Sequence, residues 1–380
     1  MRPIGRLARG NVTRNPRRTA NTAGALMIGM ALVGATTVLA STAQASTRSV
    51  VETESRADLI VQSASFALPG DAVGAVAALP SVGRADAVSV GSALVSGPDE
   101  DGDEAAPTTL VSVPVGAIGS TLAVTVVDGS LDGFAPGDVA VQEATAQARS
   151  WAVGDTLTLT SDTGSRTATI AAIVDSKILG APVIVPQEML EELVPDAQRS
   201  VTALFLQAAD GTTLEELRTD VVDAVAPFAI LSVQTNDELA TSLADQVGRV
   251  LVILYALLGL SVVIAVLGII NTLALSVIER TREIGLLRAV GLGRLQLAGT
   301  VTVESVLTAL FGTVVGVGVG VALAATMPTV FADVGLTTLA VPWPQILAML
   351  GLAVVVGVLA AVWPGVRAAR LPVLDAIAQE

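Results

Sequence analysis

The amino-acid sequence predicts a membrane protein, with four transmembrane α-helices and a large α+β extracytoplasmic domain inserted between helices 1 and 2. Three observations carry this fold class. Of the 380 residues, 52% are apolar and only 15% charged, a balance too apolar for an ordinary soluble chain. Four runs reach the roughly 20 apolar residues needed to cross about 30 Å of hydrocarbon. Between the first and second of these runs, 44–248 holds 29 acidic residues against eight basic ones and alternates strand, turn and short-helix patterns.

The elements follow in order. Residues 1–18 carry six arginines and read as a basic cytoplasmic N-terminus. No charge occurs from 19 to 47, and "AGALMIGMALVGATTVLA" (23–40) places transmembrane helix 1 at 19–43. Arginines, an apolar core and the small residues "STAQAS" (41–46) also describe an export signal. The core exceeds the roughly 7–15 apolar residues of such a signal, so a retained span is expected.

Within 44–248, "SRADLIVQSA" (55–64) reads as a strand, followed by a Pro/Gly turn, a short helix and a second strand up to "GRADAV". "GPDEDGDEAAP" (97–107) reads as a solvated hairpin tip rather than a calcium site, because it lacks the EF-hand spacing. "WAVGDTLTLTSDTGSRTATIAAIVD" (151–175) is a hairpin with an Asp-x-Gly turn. "VTALFLQAADGTTLEELRTDVVDAVAPFAILSVQT" (201–235) reads strand, helix, strand, with Thr213 as helix cap.

Helix 2 with a stalk is placed at 249–278, because 250–278 is uncharged and the polar segment 235–249 before it is compatible with the same helix. A charged helix follows at 279–296, then helix 3 at 297–327, a short external loop at 328–344, helix 4 at 345–365 after the helix-stopping "VPWP", and a tail at 366–380. Arginine sets the orientation. Four lie in 279–296 and two, Arg367 and Arg370, in the tail, so both termini are expected in the cytoplasm and the acidic domain outside.

Several chemistries are excluded. Cysteine and histidine are absent, which removes disulfides, thiol chemistry and the commonest metal ligand. The single lysine, Lys177, stands outside any Gly-x4-Gly-Lys-Ser/Thr stretch, so the chain has no P-loop. No catalytic residue, cofactor or metal is expected, and nothing in the pattern points to nucleic acid.

The most specific stretch is "NTLALSVIERTREIGLLRAVGLGR" (271–294), where a span turns abruptly charged without a proline. A positive-inside loop explains its arginines but not the interleaved glutamates and the apolar Ile284, Leu286, Leu287 and Val290. Gly291 and Gly293 let the backbone turn toward helix 3. Helix 3 carries Gly312, Gly316 and Gly320 at four-residue spacing, which favours close helix packing. Its Glu304, costly within a bilayer, is expected in a structural pair near the cytoplasmic end.

This stretch resembles FtsX-like permeases, the MacB-type class of ABC transporter membrane subunits. Glu279, Arg280, Arg282, Glu283, Ile284, Gly285 and Gly291 match the family in order and spacing, and the tail "WPGVRAARLPVLDAI" (363–377) resembles its ending. "WAVGDTLTL" is similar to a turn of the family's external domain, so the resemblance covers essentially the whole chain. It implies a MacB-like periplasmic core in 44–248 and a bacterial plasma-membrane location. It also implies a coupling helix seated on a separate ABC ATP-binding subunit, through Glu279, Arg280, Arg282, Glu283, Ile284, Leu287 and Arg288. A second permease module is implied too, either a second copy or the other half of a longer permease, together with membrane lipid and an extracytoplasmic partner. Two functions stay open: export or extraction of a substrate by mechanotransmission, or activation of an external cell-wall hydrolase or sensor without transport.

Overall fold

The structure, a computed structural model, describes residues 16–98, 105–228, 230–332 and 335–370. In chain order, α1 (Pro16–Glu54) leads to β1 (Leu59–Ser63), α2 (Gly70–Ala77), β2 (Val82–Ser96) and β3 (Ala106–Val113). Next come β4 (Thr125–Gly129), β5 (Asp138–Gln142), α3 (Glu143–Arg149), β6 (Thr156–Ser161) and β7 (Gly164–Asp175). Then follow β8 (Val183–Pro186), α4 (Gln187–Leu193), β9 (Ser200–Ala208), α5 (Leu214–Val225) and β10 (Leu231–Gln234). The last elements are α6 (Asn236–Glu279), α7 (Thr281–Ala289), α8 (Arg294–Ala324), α9 (Met327–Val330) and α10 (Trp343–Arg370). Two compact units result, a sheet unit built on Ser46–Ala244 and a helical unit that includes Asp245–Ala332 and the chain beyond Leu336.

Among the described residues, four helices are long and apolar enough to cross a bilayer: Leu26–Glu54, Asn236–Glu279, Arg294–Val330 and Trp343–Arg370. In the helical unit α8 packs tightly on α1. A Cβ added at Gly312 would stand 2.9 Å from the Ala23 carbonyl oxygen, and at Gly316 and Gly320 it would collide with the carbonyls of Met27 and Ala31. Bare glycine on that face is what lets the two backbones touch. Leu26 and Met30 of α1 join Ala265, Ile269 and Leu273 of α6, Ala309 and Val317 of α8, and Met349 and Ala360 of α10 in one apolar core. The Tyr255 hydroxyl is satisfied in this apolar setting by donating to Thr37 Oγ1 at 3.0 Å.

Two helix ends depart from the sequence reading. First, α1 does not stop near 43 but continues to Glu54, since 41–54 holds no Pro or Gly to break it. An Arg48–Glu52 pair at i,i+4 spacing, 2.7 Å long, supports this last stretch. Second, "VPWP" starts a helix instead of stopping one. Pro342 precedes α10 and Pro344 lies in its first turn, where a missing N–H costs nothing.

The sheet unit holds a ten-stranded mixed sheet in the order β10-β1-β9-β2-β3-β8-β5-β7-β4, with β6 pairing both β2 and β7. Among the described strand pairs, β3 with β8 and β5 with β7 run parallel and the rest antiparallel. The expected β6–β7 hairpin is present, closing between Ser161 and Gly164. The expected strand, helix, strand over 201–235 is also present, as β9, α5 and β10. Thr213 caps α5 through a capping box in which its amide donates to Glu216 at 3.0 Å and the Glu216 amide donates back at 3.3 Å. Those bonds from Thr213 hold the Glu216 carboxyl below its ordinary range. The acidic stretch 99–104 lies outside the described residues, but β2 and β3 on either side pair antiparallel from Val95 and Ala106 onward.

The sheet unit includes the ends of two long helices, and polar bonds fix both there. The Glu54 carboxylate, buried at the last residue of α1, accepts from Ser176 Oγ and from the Lys177 and Ile178 amides. Asn236, first residue of α6, is bonded to Ser55 Oγ at 2.8 Å and donates to the Ala57 carbonyl at 3.2 Å. Arg48 reaches Asp237 at 2.8 Å.

Candidate functional site

The charged stretch after the second long helix forms a short, separately folded element. α6 ends at Glu279, Arg280 leaves helical geometry (φ −101°, ψ 15°), and α7 then runs for only nine residues. The stretch expected as one helix over 279–296 is therefore the last residue of α6, a break at Arg280, α7, a turn and the first residues of α8. Gly291 adopts φ +109°, a conformation that suits glycine, and Gly293 is extended and opens α8 at Arg294. Residues 294–296 thus belong to α8.

Ile284 packs α7 against its neighbours: 8% exposed, it meets Val277 of α6, Leu297 of α8, Ala368 of α10 and, in the turn, Leu292. Arg280, Glu283 and Ile284 share a cleft with Leu297, Val301 and Glu304 of α8. Glu279 and Arg282 are exposed outside this cleft, Arg288 is half-buried, and Leu287 is carried on the same helix.

What faces outward is unusual for a helix end. Leu286 is 52% exposed, Val290 90% and Leu295 88%, beside the exposed Arg282 and Glu283. Apolar side chains interleaved with both signs of charge fit a protein interface, in which apolar anchors are rimmed by polar groups. Gly312, Gly316 and Gly320 are not part of this surface, since they sit farther along α8 in the seam with α1. Sequence reasoning missed Leu295, Leu292 and the pairing of Glu304 with this cleft. A charge inside a span was the available signal for Glu304, but no local pattern names its neighbours.

The MacB-like periplasmic core domain family matches residues 19–224, and the FtsX-like permease C-terminal family matches 255–373. The permease YknZ of Bacillus subtilis, described as an uncharacterised ABC transporter permease, is 26% identical over 201 residues, 52% of this chain and 49% of that protein. The macrolide export ATP-binding/permease protein MacB of Nitrobacter winogradskyi is 35% identical over 133 residues, 33% of this chain and 19% of that protein. The matched region thus spans about half, or less, of the length of these relatives. The crystal structure of the periplasmic region of MacB from Actinobacillus actinomycetemcomitans aligns with a TM-score of 0.36 at 8% identity, covering 51% of this chain and 94% of that one.

Proposed function

Starting from the chain's membership of the MacB/FtsX-type family of ABC transporter permeases, multi-pass membrane proteins, we propose that it couples ATP hydrolysis by a separate ABC ATP-binding subunit to work on a substrate at the outer face. In this reading α7 is the docking element, both termini lie in the cytoplasm, and the sheet unit is external. Closure of the ATP-binding subunits displaces α7. The movement then passes along α6 to Asn236 and Asp237, which are bonded to Ser55, Ala57 and Arg48.

The observation that carries the proposal is the outward face of α7, the following turn and the start of α8, with Leu286, Val290 and Leu295 exposed among charges while Ile284 packs the helix on its neighbours. A solvated loop has no use for three exposed large aliphatic side chains in ten residues. A docked ATP-binding subunit covers them. Mechanotransmission, rather than a path through the bundle, is supported by the span helices, which are apolar and carry no pattern of a hydrophilic pore.

The experiment is co-purification of the chain in detergent, followed by identification of the ATP-binding subunit and any external protein that stay bound. Substrate export that depends on the chain supports transport. Activation of an external hydrolase without export assigns the same motion to regulation. Absence of any bound ATP-binding subunit contradicts the proposal.

A further inference from the structure

We propose that the C-terminal end of α10 binds a phospholipid of net negative charge, its acyl chains on Val355 and Leu359 and its phosphate on Arg367 and Arg370. Val355, Leu359, Trp363 and Arg367 recur at every fourth residue and all are exposed, so they form one outward stripe. Arg370, exposed as well, continues it at the last turn. The opposite side of the helix is the packed one, where Ala361, Pro364, Gly365 and Ala368 are buried.

Tryptophan sets the level of this stripe in a bilayer. Trp343, the first residue of α10, and Trp363 are separated by about 30 Å of helix at ~1.5 Å per residue, the thickness of the hydrocarbon. Indole rings gather at both membrane–water interfaces, and Trp363 marks one of them. Arg367 and Arg370 lie about 6 and 10 Å farther along the axis, at the depth of phosphates. A third arginine reaches the same level. A Cβ added at Gly357 would stand 2.7 Å from Val306 Cα, and one at Gly365 would stand 3.8 Å from Ala298 Cα. Moving along α10 thus matches moving back along α8 residue for residue, so the two helices are antiparallel and Arg294 falls level with Ala369.

Among the described residues, Arg294, Arg367 and Arg370 form no ion pair with a carboxylate. Arg367 is instead stacked on Trp363, its guanidinium carbon 5.4 Å from the ring centroid. Stacking holds the planar fork in place and leaves its N–H groups free to grip phosphate oxygens in pairs. A bias of arginine toward one side of the membrane explains the charges, but not a guanidinium held on an indole at the head of an exposed aliphatic stripe. The unpaired cations also select the headgroup. A zwitterion brings its own ammonium to a surface that is already cationic, whereas a net negative headgroup does not. This site depends on the membrane reading of α8 and α10, and not on ATPase docking.

The test uses the purified full chain without its ATP-binding subunit, in an equal mixture of phosphatidylglycerol and phosphatidylcholine with matched acyl chains. Retained lipid is counted by native mass spectrometry, and thermal unfolding checks that each variant is folded. Phosphatidylglycerol should be retained about tenfold over phosphatidylcholine, the equivalent of ~1.4 kcal/mol. Arg367→Gln should bring that ratio close to one. Trp363→Leu should cut it severalfold although it removes no charge, because the guanidinium loses the ring that orients it. Both side chains are exposed, so the fold needs neither. Diffuse attraction of a basic surface to anionic lipid would instead leave Trp363→Leu unchanged. Equal retention of the two lipids by the unaltered chain overturns the proposal, as does an undiminished preference in either variant. Because the readout needs no ATPase, every one of these results leaves the docking reading where it stands.

Discussion

Glu54 and Ser176 lie 122 positions apart in the chain, yet the Ser176 hydroxyl donates to the Glu54 carboxylate at 2.8 Å, and both residues are buried. The Lys177 and Ile178 amides donate to the same carboxylate at 3.0 Å. The last residue of α1 is thereby fastened to the loop that follows β7.

Glu54→Ala removes the acceptor and leaves these donors unsatisfied, at about 1–3 kcal/mol for each that stays buried. The expected outcome is a loss of about 2–4 kcal/mol, or a fall of roughly 5–15 °C in the unfolding midpoint of a domain this size. Arg48→Ala breaks only exposed pairs, with Glu52 and Asp237, and should cost at most ~1 kcal/mol. Differential scanning fluorimetry of the two variants checks the contrast, and equal shifts would sink it.

The seam between α8 and α1 predicts a position-specific intolerance. Gly316→Val drives a side chain into the Met27 carbonyl and should cost more than the ~1–3 kcal/mol of ordinary overpacking. Gly318→Val makes the same change where nothing lies within 4 Å of the new Cβ, and should leave a monodisperse chain. Size-exclusion profiles and thermal inactivation in detergent separate the two. Similar behaviour of both variants would remove the close approach as the reason for the glycines.

The turn between α7 and α8 offers a second contrast. Gly291→Ala places a side chain at φ +109°, at a cost of about 1–3 kcal/mol, and should tilt α7 away from its working angle. Gly293→Ala, at φ −70°, should be nearly silent. ATP hydrolysis stimulated by the membrane subunit is the measurement. Full stimulation by the Gly291 variant would show that the turn does not aim α7.

How legible this was varies with range along the chain. The uncharged run 250–278, the Asp162-Thr163-Gly164 turn and the Thr213–Glu216 cap are local patterns, and each was readable because its cause lies within a few residues. The extent of α1 was not, because apolarity ends near Ala45 while nothing in 46–54 breaks a helix. β6 bridging β2 and β7, and Glu54 reaching Ser176, depend on contacts across many residues that no window displays. At the candidate site, composition pointed to the stretch and its glycines. The split at Arg280 and the sharing of one cleft with Glu304 came only from packing.

Orientation is testable because the chain has no native cysteine. In membranes lacking the ATP-binding subunit, Arg282→Cys should be labelled only from the cytoplasmic side. Asp132→Cys and Asp210→Cys, both exposed in the sheet unit, should be labelled only from outside. Cytoplasmic labelling at 132 or 210 would overturn the proposed topology.

The central claim is that the outward face of α7 seats an ATP-binding subunit, and the most direct measurement is how much of that subunit stays with purified Leu286→Ser/Val290→Ser. Both side chains are exposed, so the double variant should insert, accumulate and unfold within ~0.5 kcal/mol per site of the unaltered chain. If they are interface anchors, each contributes about 2 kcal/mol, so affinity should fall ~30-fold in each single variant and roughly several hundredfold in the double, with loss of stimulated ATP hydrolysis. A double variant that keeps its bound ATP-binding subunit and its stimulation would contradict the account.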